Sequence, residues 1–173
     1  FRPKTQFLRQ SYAGLMYTRR AARDSAIPDR QSIGADFMLA TNRFRGRQNV
    51  QLNAYYMKTP DGVIRNDNSA YGFRLLYPND RWSGRLVYKE IQKSFDPAAG
   101  FIERSNSQEL IYRTKFAPRP KNSRVVRQAG AEVWADLFMD TAGNWTDRDI
   151  HYLFDISLQS GDTANFQINP VYT

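Results

Sequence analysis

The sequence predicts an all-β fold, an antiparallel up-and-down transmembrane β-barrel, and three observations support this prediction. Apolar and polar residues alternate with period two along segments of about ten residues, whereas strands of soluble domains usually run ~5–6 residues and membrane-crossing strands ~9–11. The connections between these segments alternate in length. Aromatic residues concentrate near the segment ends, where the interfacial girdles of a membrane barrel would lie.

The alternating segments, taken in order, predict about nine strands and no helix. The clearest is the eighth, in which Ile150, Tyr152 and Phe154 share one face while His151 and Leu153 share the other. The first, sixth and ninth alternate more weakly. The predicted strands cover residues 10–18, 33–39, 50–56, 71–77, 82–89, 109–116, 131–137, 150–158 and 163–172.

The connections alternate between long and short along the chain. A soluble β-sandwich has no reason to alternate in this way, whereas a transmembrane barrel has short turns at one rim and long loops at the other. We therefore expect the short and the long connections to lie on opposite rims. The short ones are 43–47, 78–81 and 160–162, the intermediate one is 117–125, and the long ones are 19–30, 59–68, 91–107 and 139–148.

The alternation also predicts which side chains face lipid and which face the interior of the barrel. Because successive side chains of a strand point to opposite faces, each strand has an apolar set and a polar set. The residues predicted to face lipid are Phe37, Leu52, Phe73, Leu86, Val133, Phe154 and Ile156. The polar residues predicted to face the lumen are Asp36, Asn53, Arg74, Arg85, Arg113, Glu132, Asp136 and Asp155.

Composition excludes several classes of protein. The chain has 173 residues, of which 14% are aromatic, and this content argues against a disordered chain. No apolar run reaches the ~18 residues of a membrane helix. Cysteine is absent and His151 is the single histidine, so disulfides and thiolate metal sites are excluded and a His-rich metal site is disfavoured. We expect one domain over residues 1–173, with no cofactor.

An odd strand count predicts that this domain is partial. Bacterial single-chain barrels have an even number of strands, and an unpaired strand edge in lipid is costly because each unsatisfied backbone group costs several kcal/mol. The nine strands therefore predict an incomplete segment of a larger barrel. Direct pairing between the strands near residues 10–18 and 163–172 would close the sheet and contradict this prediction.

Three motifs resemble a known family. Residues 7–20 read FLRQSYAGLMYTRR, residues 95–104 read FDPAAGFIER, and the turn at 160–162 reads SGD after a long alternating strand. They resemble the C-terminal β-barrel of a domain-of-unknown-function family in Gram-negative envelope proteins. In that family the barrel follows a periplasmic carbohydrate-binding module of the family-nine type. Asp96 stands where the family usually has Asn.

The resemblance implies a location and a class of function. It implies a porin-like barrel in the bacterial outer membrane that acts as a pore, anchor or scaffold, with outer-membrane lipid and other envelope proteins as its partners. The periplasmic module, which this chain lacks, would link it to carbohydrate binding or uptake. Glycoside hydrolase labels in the family derive from that module, so the resemblance assigns no catalytic residue to this chain and predicts no enzyme activity.

Alternative functions come from other classes of protein. A soluble β-rich module that binds carbohydrate or nucleic acid is a second possibility, because basic groups with neighbouring aromatic residues and a net charge of +8 are typical of nucleic-acid binding. The arginines are scattered over several turns without a nucleic-acid-binding motif, so we predict no nucleic-acid partner. Part of a carbohydrate hydrolase is the third alternative, with acids drawn from Glu103, Glu109, Glu132 or Asp136.

A cluster of possible metal ligands lies on one strand. Asp147, Asp149, His151 and Asp155 share a face by the period-two rule, and carboxylate and imidazole are suitable ligands for divalent cations. Such residues equally suit a polar wall near an outer loop. Because ligands from other strands would have to converge on them, we predict no metal site there.

Overall fold

The computed structural model describes residues 1–22, 29–60 and 67–170, and these residues form ten β-strands. Within these ranges no helix is long and apolar enough to cross a membrane. The strands are β1 (Lys4–Phe7), β2 (Ser11–Arg20), β3 (Arg30–Phe44), β4 (Gln48–Lys58), β5 (Ser69–Pro78), β6 (Trp82–Ile91), β7 (Ser107–Phe116), β8 (Val126–Asp140), β9 (Trp145–Leu158) and β10 (Thr163–Ile168).

All ten strands belong to one antiparallel sheet in which spatial order follows chain order from β1 to β10. The all-β, antiparallel, up-and-down part of the sequence prediction is therefore confirmed. Among the described residues β1 pairs with β2 and β10 pairs with β9, and β1 does not pair with β10. The sheet is thus open, and closure into a barrel stays a prediction.

The connections lie on two rims, because consecutive antiparallel strands join at alternate ends. The short rim, as we call it, carries connections 8–10, 45–47, 79–81, 117–125 and 159–162. The opposite rim, the long rim, carries connections 21–29, 59–68, 92–106 and 141–144. The connections predicted as short therefore lie on one rim and those predicted as long on the other. Residues 23–28 and 61–66 of two long connections lie outside the described residues.

The structure corrects two details of the sequence prediction. The described residues contain ten strands because β1 precedes the strand that was predicted as first; its sequence, KTQF, has no apolar alternation that would identify it. Ten is an even number, so the odd count on which the prediction of a partial domain rested is wrong. The connection predicted as long at 139–148 is a four-residue turn, because β8 continues to Asp140 and β9 begins at Trp145. Asp140 holds this turn by accepting hydrogen bonds from the backbone of Ala142 and Asn144 at 2.9 and 2.8 Å.

The strand register assigns every strand residue to one of two faces, since paired residues point to the same side. Phe37 pairs with Ala54, Ala54 with Phe73 and Phe73 with Tyr88. This chain of pairs continues across the sheet and defines the apolar face. The seven residues predicted to face lipid all lie on the apolar face, and the eight predicted for the lumen all lie on the opposite, polar face. Contact with lipid or lumen stays a prediction.

Candidate functional site

The apolar face is a continuous exposed surface that extends over all ten strands. Leu15 is 60% exposed, Phe154 48% and Phe166 63%, although these side chains lie in the middle of regular strands. Within the described strands, only Tyr55 and Trp134 among the exposed large apolar residues point to the polar face. Soluble monomers rarely expose an apolar patch larger than a few hundred Å². A surface of this width is typical of a face that contacts a membrane or another protein.

Aromatic side chains border the apolar face near both rims. At the short rim the rings of Trp82 and Phe116 lie 6.2 Å apart and meet edge to face. Near the long rim, Tyr71 lies 6.3 Å from Tyr56 and 6.5 Å from Tyr88. These side chains form one aromatic row near each rim. On β6 the two rows are represented by Trp82 and Tyr88, which are six residues apart, or about 20 Å along a strand. Aliphatic residues such as Leu75 and Leu86 fill the band between them.

Charges on the polar face are divided by strand. Strands β5, β6 and β7 place one acid, Glu109, on this face together with five basic residues. Strands β8 and β9 place six acids there. The basic residues are Arg74, Arg85, Lys89, Arg113 and Lys115; the six acids are Glu132, Asp136, Asp140, Asp147, Asp149 and Asp155. The polar face therefore has a basic half and an acidic half.

Ion pairs connect neighbouring strands of the polar face. Lys89 pairs with Glu109, and the Arg113 Nε donates to the Glu132 carboxylate. Both carboxylate side chains are only 7% exposed, whereas the basic partners are 44% and 57% exposed. Because a buried carboxylate without a partner is costly, these pairs allow acids to lie on a crowded face. Glu109 and Glu132, considered above for hydrolysis, are thus both held in ion pairs.

Two further ion pairs span a whole strand, and in each case a glycine of that strand leaves the space. Lys115 Nζ on β7 reaches Asp155 Oδ1 on β9 at 2.6 Å, passing over Gly130 of β8. Arg2 reaches Asp36 on β3 at 3.4 Å, passing over Gly14 of β2. A Cβ added at Gly130 would lie 2.8 Å from the Asp155 Cγ, too close for a real contact.

We expect Gly130→Ala to separate Lys115 from Asp155, because the new methyl group would push the carboxylate aside. The expected cost is about 1 kcal/mol, as for loss of one partly exposed charge-assisted contact. The loss should disappear in the Lys115→Met background, where the ion pair is already absent. A urea-unfolding double-mutant cycle measures this; equal destabilisation by Gly130→Ala in both backgrounds would contradict the role assigned to the glycine.

A second polar cluster surrounds the histidine. The ring of His151 stacks on Trp134 with centroids 4.6 Å apart, and its Nε2 lies 2.9 Å from Asp149 Oδ1. Its Nδ1 lies 2.7 Å from the Asn169 Oδ1. Within the described ranges, no three His, Asp or Glu side chains come together as a possible metal site. The predicted alternative, in which Asp147, Asp149 and His151 bind a cation, receives no support.

The long connection 92–106 does not extend away from the sheet but returns across it. Its first part, Gln92–Ala98, we call the fold-back segment. The Ala98 amide donates to the Ser32 Oγ of β3 at 2.8 Å, and Ser32 is 1% exposed and lies on the polar face. The segment therefore crosses from β6 over β5 and β4 to β3, a lateral distance of about 14 Å at ~4.8 Å per strand.

Partly buried polar contacts fix the fold-back segment along its length. The Gln92 Oε1 accepts from the Ser69 amide at 2.9 Å, and the Ser94 Oγ donates to Asp67 at 2.8 Å. The Asp96 amide donates to the Thr59 Oγ1 at 3.2 Å. Phe95 and Ala98 are 7% and 2% exposed. The segment therefore covers part of the polar face near the long rim.

Asp29 stabilises the described end of another long connection. Its carboxylate accepts from the Ala22 amide at 3.0 Å and from the Arg19 Nε at 2.9 Å. These two contacts, the backbone one first, lower the pKa of Asp29 below its ordinary value. Because the folded pKa is depressed, this stabilisation is present above the unfolded pKa and is lost as pH falls through the folded value.

The sequence-predicted polar residues are distributed along the face rather than gathered at one point. Asp36 lies near one side of the sheet and Asp155 near the other, while Asn53 accepts from Arg74 at 3.3 Å near the centre. The predicted lumen-facing set omitted Lys89, Lys115 and Glu109, although period-two alternation places all three on this face. A comparison with protein-family models, with curated proteins and with solved structures finds no match to this chain. The family resemblance therefore stays a prediction.

Proposed function

We propose that this chain is a segment of an outer-membrane β-barrel that acts as a pore, anchor or scaffold in the Gram-negative envelope. One observation carries the proposal: a single-layer sheet exposes an apolar face across ten strands, with aromatic rows near both rims. In a soluble protein a second layer would cover such a face, because a sheet must bury its apolar side. Lipid supplies that cover in an outer-membrane barrel, whose apolar band lies between two aromatic girdles.

The glycines favour a sheet that curves with the polar face inside. Four strand glycines, Gly14, Gly34, Gly72 and Gly130, lie on the polar face, and a Cβ at each would come within 3.0 Å of a neighbouring atom. Gly84 lies on the apolar face, and its nearest contact would be a relaxed 3.8 Å. Crowding on one face is what a concave surface produces, and glycines are used to bend sheets into barrels.

The charge on the polar face supports a wet interior. Several of its acids are held in ion pairs whose basic partners are exposed, as Lys89 and Arg113 illustrate. A dry core would leave these charges without solvent, at high cost. Because the described sheet is open, we propose that further strands, from elsewhere in the protein or from a neighbouring chain, pair with β1 and β10 to complete the barrel.

Membrane extraction of the full-length protein from a Gram-negative host tests the proposal. We expect it in the outer-membrane fraction, resistant to alkaline washing and released only by detergent. A stable monomer in the soluble fraction without detergent would contradict the barrel. Ion conductance in a planar bilayer then distinguishes a pore, which conducts ions, from an anchor or scaffold, which does not.

A further inference from the structure

Arg85 occupies an unusual position on the polar face. It lies on β6 directly opposite Arg113 of β7, and it is diagonal to Lys115 of β7 and to Arg74 of β5. Directly opposed residues have Cβ atoms about 4.5–5.5 Å apart, and like charges in such pairs destabilise a sheet. Three basic side chains on two flanking strands therefore surround Arg85.

The neighbouring acids do not neutralise this cluster at Arg85. Glu109 is paired with Lys89, Glu132 with Arg113 and Asp155 with Lys115. Arg74 donates to the neutral amide oxygen of Asn53. In the part of the chain that the structure describes, Arg85 makes no hydrogen bond or ion pair, and Asp136 acts on it only through longer-range electrostatics.

We propose that Arg85, together with Arg74 and Arg113, forms a binding site for a small oxyanion such as phosphate. The planar guanidinium groups match the geometry of phosphate oxygens and donate two hydrogen bonds at once. All three side chains are exposed on the polar face. Arg113 uses its Nε for Glu132 and Arg74 uses one terminal nitrogen for Asn53, so their remaining guanidinium N–H groups and all those of Arg85 can donate to an anion. A bound anion also relieves the repulsion between Arg85 and Arg113.

The proposed function gives this binding site its role, and that role therefore rests on the proposed barrel. In a barrel with the polar face inside, the site lies on the basic half of the wall, opposite in charge to the half formed by β8 and β9. Anions entering the interior would concentrate at Arg85, because charge of one sign on a cleft wall raises the local counter-ion concentration.

Thermal unfolding of the detergent-solubilised full-length protein tests the site, with inorganic phosphate compared with chloride at equal ionic strength. A ligand that binds only the folded state raises the unfolding temperature. We expect phosphate to stabilise the wild type more than chloride does. In Arg85→Gln the affinity for phosphate should fall by about tenfold or more, as expected for losing a charge-assisted bidentate contact. Arg85→Lys should retain part of the effect.

Arg119→Gln is the matched control, because Arg119 lies at the short rim and pairs with Asp80 at 2.8 Å, away from the cluster. It should leave the phosphate effect unchanged. Without phosphate, Arg85→Gln should be at least as stable as the wild type, since it removes a like-charge contact. Equal phosphate stabilisation of wild type and Arg85→Gln overturns the site, whether or not the protein resides in a membrane. A soluble protein that still loses phosphate binding in Arg85→Gln overturns only the barrel.

Discussion

Phe154→Arg is expected to lower the free energy of unfolding in a bilayer by up to about 2–4 kcal/mol, because a basic residue on the lipid face is costly and the cost is largest near mid-membrane. Phe154 lies on the apolar face of β9 between Ala131 and Phe166 and is 48% exposed. The guanidinium would have to enter lipid or pull the strand toward an interface. Urea unfolding in lipid vesicles, followed by tryptophan fluorescence, measures the difference.

Leu153→Arg is the matched control for this substitution. Leu153 is adjacent in the chain and lies at the same height, but it points to the polar face between Glu132 and Gln167. An arginine there would stand beside a carboxylate in a polar environment, so we expect a much smaller loss. Ser157→Arg, also on the polar face, should be mild as well. Similar losses of unfolding free energy for Phe154→Arg and Leu153→Arg would contradict the assignment of the two faces.

Gly72→Ala is expected to destabilise the protein by about 1–3 kcal/mol, which is typical of overpacking. A Cβ at Gly72 would lie 2.5 Å from the Tyr88 carbonyl oxygen and 3.1 Å from the Lys89 Cα. Both are backbone atoms, so no side-chain rotation relieves the collision, and β5 would have to move away from β6. The same unfolding experiment measures the loss.

Gly84→Ala is the comparison for Gly72→Ala, since Gly84 lies on the adjacent strand but on the apolar face. Its added Cβ would meet the Arg113 carbonyl oxygen at 3.8 Å, an ordinary contact. We expect it to be neutral or slightly stabilising, because alanine restricts the unfolded chain more than glycine does. If both substitutions had the same effect, crowding would not explain the glycine at position 72.

Period-two alternation in the sequence was enough to identify nine of the ten strands and to separate the two faces. The reason is physical: a long strand with one apolar face repeats its pattern several times, so a single exception does not hide it. β1 was not predicted because its four residues are too few to show a repeated alternation of apolar and polar residues. The turn at 141–144 was predicted as a longer connection because the first residues of β9 show little apolar alternation. Trp145, Thr146 and Asp147 belong to the strand, but the regular pattern begins only at Ile150.

Contacts between distant parts of the chain were not predictable in the same way. The pairing of Lys115 with Asp155 depends on the register of three strands and on the missing side chain of Gly130. The fold-back segment was predicted only as part of a long loop, because nothing in FDPAAGF shows that Ala98 will meet Ser32 on a strand 66 residues away. Pairing register and loop direction are tertiary properties that one sequence does not display.

The fold-back segment has a mechanical consequence. In a strict meander each strand is held mainly by its two neighbours, so a pulling force applied at the C-terminal end should release β10, β9, β8 and β7 in small successive steps. The segment from Gln92 to Ala98 ties β6 to β3, and the contacts with Thr59 and Ser69 lie between them. In single-molecule force spectroscopy, β3 to β6 should therefore rupture together as one larger event.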